Sequence, residues 1–391
     1  MKKILFAVWI LCLIFLSGCG KKENNDYSAE ADNDSNVIFK NTEYNPDTDY
    51  QFFSSNYSEV TASDSIYYFR NYEFVYSWDK KSGQSGALCA KPDCSHDSES
   101  CDAYIGFAGN LTYNDGSLYY LEIDEDDASG SFKYTLHSRL PDGSVDKEIS
   151  ELMSSSNELP VIPETMIHRG YLYYVIYDGT MENSTSRLCR VPLDGSEDSK
   201  ELFAYKGVDA DIYQLKGYGD GVMFIVSEAA DKDLEKHIFN IYYYDTASGQ
   251  TELVVDDTRG DYVVINDKVY YTMPDAVYCY DVFAKNKEKF YETNALVYMS
   301  YDGVNLYLDD SYSKMIDDKE NEGNTITVLS LDGEIIDSIN NDNSQEFCFG
   351  DSEYLILGYD EDFKLLDKKY IGKDKTEWIT WEIPHLWENM Q

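Results

Sequence analysis

Three cysteines and one histidine lie close together in a segment that does not repeat elsewhere in the chain. They are Cys89, Cys94, His96 and Cys101, within residues 88–104. Three thiolates and one imidazole form a complete tetrahedral ligand set for Zn²⁺, and carrying all four on one loop lowers the entropic cost of closing the site. The spacing Cys-x4-Cys-x-His-x4-Cys departs from the common structural-zinc patterns. The segment therefore predicts either a zinc site or a disulfide between two of the three cysteines.

The first residues predict an export signal. Two lysines precede an unbroken apolar run that ends at Leu16, which is too short to cross a bilayer as a stable helix but suits a signal peptide. The run closes in Leu-Ser-Gly-Cys, a tetrapeptide that resembles the bacterial lipobox. This resemblance implies that residues 1–18 are removed and that Cys19 carries two acyl chains, which anchor the protein outside the cytoplasm on the bacterial cell membrane. An ordinary secretory signal with an incidental cysteine is the alternative.

The charge of the chain limits its partners. There are 32 Lys and Arg against 73 Asp and Glu, a formal net charge of −41. Removal of the two lysines in residues 1–18 changes this to −43. Phosphate backbones would be repelled, so we expect no nucleic-acid partner. Residues 19–49 are polar and poor in apolar side chains, which predicts a tether, and residues 50–391 should form the folded body.

A turn followed by a strand rich in tyrosine and aliphatic residues recurs seven times along that body. Each occurrence is typical of a β-hairpin. The first residues of the seven strands lie 37 to 54 positions apart and are Ile66, Leu118, Leu172, Met223, Val269, Leu306 and Tyr354. A second turn follows within most units, as in Leu-Pro-Asp-Gly at 140–143. Two hairpins a unit imply four strands a unit, the composition of a propeller blade.

These repeats predict an all-β fold, a β-propeller of four-stranded blades with a small Cys/His insertion, residues 88–104, between the first two units. Seven blades give about 48 residues each, a usual blade length, while six or eight blades are the alternatives. The 36 tyrosines suit blades that pack face to face, and we expect the bulky rings mainly on the wide outer strands.

The repeated Leu-Tyr-Tyr after a turn, with Leu-Asp-Gly later in the unit, resembles bacterial surface lipoproteins. Their propellers are related to the low-density-lipoprotein-receptor repeat class and to TolB-like propellers, and the likeness spans roughly residues 60–383. It implies the propeller fold and says little about function. The receptor-type tetrapeptide Tyr-Trp-Thr-Asp does not occur, so receptor-type partners are not implied.

The remaining reactive residues do not form a catalytic motif. The chain contains no Gly-x-Ser-x-Gly nucleophile elbow and no phosphate-binding Gly-x-x-x-x-Gly-Lys loop. Cys189, Cys279 and Cys348 each lie in the middle of a predicted strand, where cysteine acts as a small buried apolar residue. The acidic run at 124–127 could bind Ca²⁺ as a loop, although a solvated loop is the simpler interpretation.

Two classes of function fit this sequence. The first is a binding module, whose propeller contacts a peptide, glycan or protein ligand through its loops or axial channel. The second is a cell-envelope hydrolase or lyase with channel carboxylates as acid and base. The lack of catalytic motifs favours the first and leaves enzymatic activity open.

Overall fold

The structure is a computed structural model that describes residues 60–71, 73–126, 130–155, 162–230, 236–311, 324–341, 346–359, 362–373 and 378–382. The predicted signal peptide, the lipidation site Cys19 and the tether at 19–49 lie outside these residues and stay predictions. Within the described ranges, no helix has both the length and the apolar character needed to cross a bilayer.

The described residues form 28 β-strands and include one short 3-10 helix, Lys368–Tyr370. The strands are grouped into seven four-stranded antiparallel sheets. In chain order they are β1 (Val60–Ala62), β2 (Ile66–Asn71), β3 (Phe74–Asp79), β4 (Ser85–Ala87); β5 (Ala108–Asn114), β6 (Ser117–Asp126), β7 (Ser131–Arg139), β8 (Asp146–Ser155); β9 (Thr165–His168), β10 (Tyr171–Thr180), β11 (Asn183–Pro192), β12 (Lys200–Gly207); β13 (Asp211–Tyr218), β14 (Gly221–Ala229), β15 (His237–Asp245), β16 (Gln250–Thr258); β17 (Tyr262–Ile265), β18 (Lys268–Met273), β19 (Ala276–Asp281), β20 (Asn286–Glu292); β21 (Tyr298–Tyr301), β22 (Leu306–Asp309), β23 (Asn324–Leu329), β24 (Ile335–Asn341); β25 (Glu346–Gly350), β26 (Tyr354–Tyr359), β27 (Asp362–Asp367) and β28 (Trp378–Glu382).

The seven sheets are the blades of a propeller. Each blade consists of four consecutive strands paired in chain order. The first strands of neighbouring blades contact one another, as β1 does with β5 and β17 with β21, so the first strand of each blade lies nearest the axis. The predicted fold class and the preferred count of seven blades are confirmed.

The predicted turns lie between the strands as expected. Asn114-Asp115-Gly116 joins β5 to β6, and Gly116 has a φ of 84°, a left-handed conformation that glycine adopts at little cost. The Leu-Pro-Asp-Gly turn at 140–143 joins β7 to β8. Turn chemistry therefore sets the hairpin boundaries in these blades.

The tyrosines pack differently from the prediction. The largest fully buried side chains are all tyrosines, and they lie on the first three strands of their blades: Tyr67, Tyr68, Tyr76, Tyr134, Tyr173, Tyr174, Tyr218, Tyr243, Tyr262, Tyr271 and Tyr307. The expectation that the bulky rings lie mainly on the outer strands is wrong. An outer strand has one edge without a strand neighbour, whereas a middle strand is covered on both edges and on both faces, so it buries a large ring more completely.

Among the described residues, side-chain contacts join the last blade to the first. The Tyr67 hydroxyl donates to Asp351 Oδ2 at 2.6 Å, and Lys80 Nζ lies 2.7 Å from the same oxygen. The rings of Phe69 and Phe363 pack with their centroids 4.8 Å apart. Since each described blade consists of consecutive strands, these contacts contribute to closing the ring.

Two carboxylates that directly precede first strands bond to the next blade near the axis. Asp261 Oδ2 accepts a hydrogen bond from Met299 N of the next blade at 2.8 Å, and Glu164 Oε1 accepts one from Leu215 N at 2.5 Å. Burial raises the pKa of Glu164 to about 7 and also raises the pKa of Asp261, although Lys216 opposes the shift at both carboxyls. These carboxyl groups therefore take part in the packing between blades.

Candidate metal centre and the adjacent cleft

The Cys/His insertion, residues 88–104, interrupts the outer strand of the first blade. β4 ends at Ala87, after which Leu88 N still donates to Val75 O at 2.9 Å. Pairing resumes when Tyr104 forms an antiparallel bridge with Phe74, the neighbour of Val75. The chain thus leaves the sheet and returns to the next position on the same strand, so the predicted bounds of the insertion coincide with the two residues at its base.

The four predicted ligands converge at this base. One ligand atom from each of Cys89, Cys94, His96 and Cys101 lies within 4.8 Å of the other three. His96 Nδ1 is 3.4 Å from Cys101 Sγ, and a φ of 58° at His96 places its backbone in the left-handed region. The three thiols are free in the structure. Three sulfurs and one imidazole nitrogen around a common point are a donor set that could hold a tetrahedral metal ion.

Backbone N–H groups surround the sulfurs. Ala103 N donates to Cys101 Sγ at 3.3 Å. Burial raises the pKa of the Cys89 thiol, but hydrogen bonds from the backbone of Lys91 and Asp102 and from the Cys94 and Cys101 side chains together outweigh it, so the pKa is lowered overall. Burial raises the pKa of Cys101 to about 12. Hydrogen bonds within the insertion, from both backbone and cysteine side chains, therefore favour a thiolate at Cys89.

The base of the insertion packs against the second blade. Lys91 Nζ is 2.6 Å from Asp102 Oδ1, and Arg139 of β7 donates to Asp102 O at 2.6 Å. Gly143, in the turn between β7 and β8, has a φ of 73°, and a Cβ atom there would lie 2.9 Å from both Leu88 O and Asp102 Cβ. Glycine is required because both the backbone conformation and the close approach exclude a side chain.

A cleft of about 410 Å³ lies between the insertion and the second blade. Its walls come from the insertion with the residues after it and from β6, β7, the turn that follows and the start of β8. They are formed by Lys91, Glu99, Ser100, Cys101, Asp102, Tyr104, Ile105, Tyr120, Glu122, His137, Arg139, Gly143, Ser144 and Asp146.

A network of charged side chains forms the second-blade wall of this cleft. His137 bridges two carboxylates, with Nε2 2.9 Å from Glu122 Oε2 and Nδ1 3.0 Å from Asp146 Oδ1. Asp146 Oδ2 also accepts hydrogen bonds from Arg139 Nε at 2.7 Å and from the Tyr120 hydroxyl at 2.5 Å. These contacts link the side chains of the network to one another.

The same network sets the protonation of its members. Burial lowers the pKa of His137, but its bonds to Asp146 and Glu122 prevail and raise it to about 9. Burial raises the pKa of Asp146, but the hydrogen bonds from His137, Tyr120 and Arg139 lower it overall to about 2. At neutral pH the wall therefore carries an imidazolium beside an ionised carboxylate.

The sequence analysis did not predict this network, because its residues lie on three different strands, β6, β7 and β8, and no short motif joins them. The available signal was strand alternation: His137 and Arg139 are two residues apart on β7, and the hairpin places Arg139 directly opposite Asp146. Residues at a period of two share one face of a sheet. A charged pair that flanks a predicted hairpin turn would have indicated part of the wall.

The structure places the other predicted residues in strands. Cys189 in β11 and Cys279 in β19 are buried, as predicted, and Cys348 lies in β25, although its side chain is outside the described residues. Asp124–Asp126, the described part of the acidic run, form the end of β6 and not a loop. Asp124 and Glu125, as successive strand residues, point to opposite faces of the sheet.

No family model matches this chain, and no curated protein matches it. Among solved structures it is similar to BamB from Moraxella catarrhalis, with 10% identity and a TM-score of 0.39, covering 83% of this chain and 82% of that one. It is also similar to the β-propeller domain of the Trilobed protease from Pyrococcus furiosus, with 12% identity and a TM-score of 0.43, covering 85% and 94%. A third similar structure is an acylaminoacyl peptidase from Pyrococcus horikoshii, with 12% identity and a TM-score of 0.45, covering 71% and 46%. These likenesses are of fold, and no residue role is transferred from them.

Proposed function

We propose that the protein is an extracytoplasmic lipoprotein, anchored to the bacterial cell membrane through Cys19, whose propeller is a binding module for a peptide, glycan or protein ligand. The ligand site in this proposal is the cleft between the insertion and the second blade. The lipobox-like tetrapeptide supports the anchor, and the predicted tether at 19–49 would hold the propeller away from the membrane surface.

The observation that carries the binding role is the fixed polar wall of the cleft. At about 410 Å³, the cleft falls within the size range of ligand-binding pockets. His137, Arg139 and Asp146 hold one another in place, so a ligand would not have to order them. A site ordered in advance loses less entropy on binding, which favours recognition.

The lining also indicates the kind of ligand. Cationic groups of Lys91, His137 and Arg139 alternate with carboxylates of residues 99, 102, 122 and 146, and Tyr104 adds an aromatic surface. A lining of mixed sign suits a ligand with both donors and acceptors, such as a peptide backbone or a sugar, more than a strongly charged one. The net charge of −41 should still attract basic segments at long range.

The second class of function, a hydrolase or lyase that uses channel carboxylates, stays a prediction. Asp261 is buried and Glu164 is partly buried near the axis, and each already accepts a backbone hydrogen bond from a neighbouring blade. This arrangement favours a packing role for these two groups over acid–base catalysis.

The anchor is tested by metabolic labelling of the full chain with a radioactive fatty acid in a bacterial host. We expect the label to enter the membrane-bound protein and to be lost in the Cys19→Ala variant, while Cys12→Ala, with its substitution inside the predicted signal peptide, keeps it. Equal labelling of both variants would contradict lipidation at Cys19.

The cleft is tested by binding of defined probes to the detergent-solubilised full chain. A neutral hexasaccharide, a mixed-sequence hexapeptide and a lysine-rich hexapeptide are titrated by calorimetry. For a probe that binds, we expect Arg139→Gln to reduce the affinity at least about tenfold, equivalent to about 1.4 kcal/mol, because the cleft wall loses its order. Arg187→Gln, which removes an ion pair in the third blade, should leave the affinity unchanged.

One result would contradict ligand binding in the cleft. A probe that binds equally to the wild type, Arg139→Gln and Arg187→Gln would place the ligand site elsewhere on the propeller. If the lysine-rich peptide binds, its affinity should fall as salt rises, because the attraction is screened.

A further inference from the structure

We propose that Cys89, Cys94, His96 and Cys101 together coordinate one Zn²⁺ ion in a closed, structural Cys₃His centre. The ion joins the two ends of the insertion and holds them against the first two blades. This inference is independent of the proposed binding function.

The distances fit a metal centre. Zn–S bonds of about 2.3 Å and Zn–N bonds of about 2.0–2.1 Å in a tetrahedron place two sulfurs about 3.8 Å apart and a nitrogen about 3.6 Å from a sulfur. His96 Nδ1 lies 3.4 Å from Cys101 Sγ, and the four donor atoms lie within 4.8 Å of one another. Small side-chain rotations would therefore complete the tetrahedron.

The donor types select the ion. Thiolate and imidazole ligands suit Zn²⁺, whereas Ca²⁺ and Mg²⁺ require oxygen ligands. All four positions come from the protein, which leaves none for a water molecule, so the centre is structural and not hydrolytic. The N–H group of Ala103 bonds to the sulfur of Cys101, and such outer hydrogen bonds orient metal ligands.

The surrounding charge is also suitable. Three thiolates and one Zn²⁺ carry a net charge of −1, and Lys91, two residues after Cys89, donates to the backbone oxygen of Ser100, the neighbour of Cys101, at 2.5 Å. Lys91 is itself held by Asp102 at 2.6 Å. A fixed cation therefore stands beside the excess negative charge.

The insertion needs such a centre because it buries little of its own surface. Between Cys89 and Ser100 no residue is buried. Leu88, Cys101 and Ala103 are buried, and all three lie at the base of the insertion. Small segments that bury little apolar surface are commonly stabilised by a metal ion or a disulfide. A disulfide would use two of the four converging groups, while a metal ion uses all four.

The test measures metal in the full chain, purified in detergent without chelators. We expect about one zinc per chain by elemental analysis. Replacement by Co²⁺ should add the visible absorption of a tetrahedral cobalt–thiolate complex. Cys94→Ser and His96→Ala should each bring the bound zinc close to zero and remove most of the cobalt absorption.

Matched controls separate ligand loss from misfolding. Cys189→Ala and His237→Ala change the same residue types in other blades and should keep the zinc and the cobalt spectrum. Because Cys94 and His96 lie outside the strands, the far-ultraviolet circular dichroism of their variants should match the wild type. Zinc retained in both ligand variants, or a chain that binds neither ion, would overturn the centre. A metal-free chain with two of Cys89, Cys94 and Cys101 oxidised would replace it with the disulfide.

Discussion

The insertion and the blades beside it are stabilised in different ways. Each blade contributes to hydrophobic clusters that extend into a neighbouring blade, as where Tyr173 packs with Ile212. Only the base of the insertion joins such a cluster, through Leu88, Cys101 and Ala103, and none of residues 89–100 is buried. The blades therefore depend on apolar burial spread over many residues, whereas the insertion depends on a few polar and thiol side chains. The consequence is that single substitutions should act globally in the blades and locally in the insertion.

The largest effect should come from the apolar core. Phe69 is fully buried between the first and last blades, so Phe69→Ala should lower the free energy of unfolding by about 3–5 kcal/mol because it leaves a cavity. Denaturant unfolding measures the change. Phe107, which is 50% exposed, is the control, and Phe107→Ala should stay within about 0.5 kcal/mol of the wild type. A similar loss of unfolding free energy in Phe69→Ala and Phe107→Ala would contradict the expected difference between buried and exposed rings.

The next effect is a pH dependence centred on His137. Its pKa is raised from 6.5 to about 9, so the stability that it contributes is fully present below pH 6.5 and is lost as the pH rises through 9. Between pH 6 and pH 10 the wild type should lose about 1–3 kcal/mol more than His137→Gln. Unfolding at both values measures this, and other groups that titrate in this range cancel because they are common to both proteins.

The same network responds to acid in the opposite direction. The pKa of Asp146 is lowered from 3.8 to about 2, so its contribution is present above pH 3.8 and is lost as the pH falls through 2. The network should thus be most stabilising between about pH 4 and 6.5. If the wild type and His137→Gln lose stability identically across this pH range, His137 does not contribute pH-dependent stability to the network.

A smaller effect should arise where the two regions touch. Gly143→Val should cost about 1–2 kcal/mol from its left-handed backbone and should also displace the base of the insertion. Gly83 has a similar φ of 68° with nothing within 4 Å, so Gly83→Val carries the strain without the contact. Hydrogen exchange should show faster exchange at residues 89–101 in Gly143→Val only. Equal exchange in the two variants would show that the turn does not support the insertion.

The smallest effect should come from an exposed ion pair. Arg187 pairs with Asp178 and Glu201 on the surface of the third blade. Such pairs are worth little in water, so Arg187→Ala should change the free energy of unfolding by about 0–1 kcal/mol. A loss comparable to that of Phe69→Ala would mean that surface charge, and not burial, stabilises this blade.

Much of the fold could be predicted from local sequence patterns. The seven strands that the repeat predicts, rich in tyrosine or aliphatic residues, are β2, β6, β10, β14, β18, β22 and β26, each the second strand of its blade. Turn residues and alternating apolar positions are properties of adjacent residues, so the hairpins could be predicted without knowing which blades meet. The distribution of tyrosines within a blade could not, because burial depends on the neighbouring sheets.

The candidate site also has one part that the sequence predicted and one part that it did not. The ligand set at Cys89, Cys94, His96 and Cys101 was visible because all four residues lie on one short segment. The cleft wall was not, because Glu122, His137 and Asp146 come together only through the pairing of β6, β7 and β8. The interruption of the outer strand was also hidden, since it depends on Tyr104 returning to pair with Phe74.

By itself, the sequence determined the strands, the turns, the preferred number of blades and the donor set of the insertion, because each depends on residues that are close together in the sequence. Only the tertiary structure decided how the ring closes at Tyr67 and Asp351, where the insertion rests and which charges line the cleft. The physical reason is that these contacts join residues far apart in the chain, and their distances follow from the packing of whole sheets.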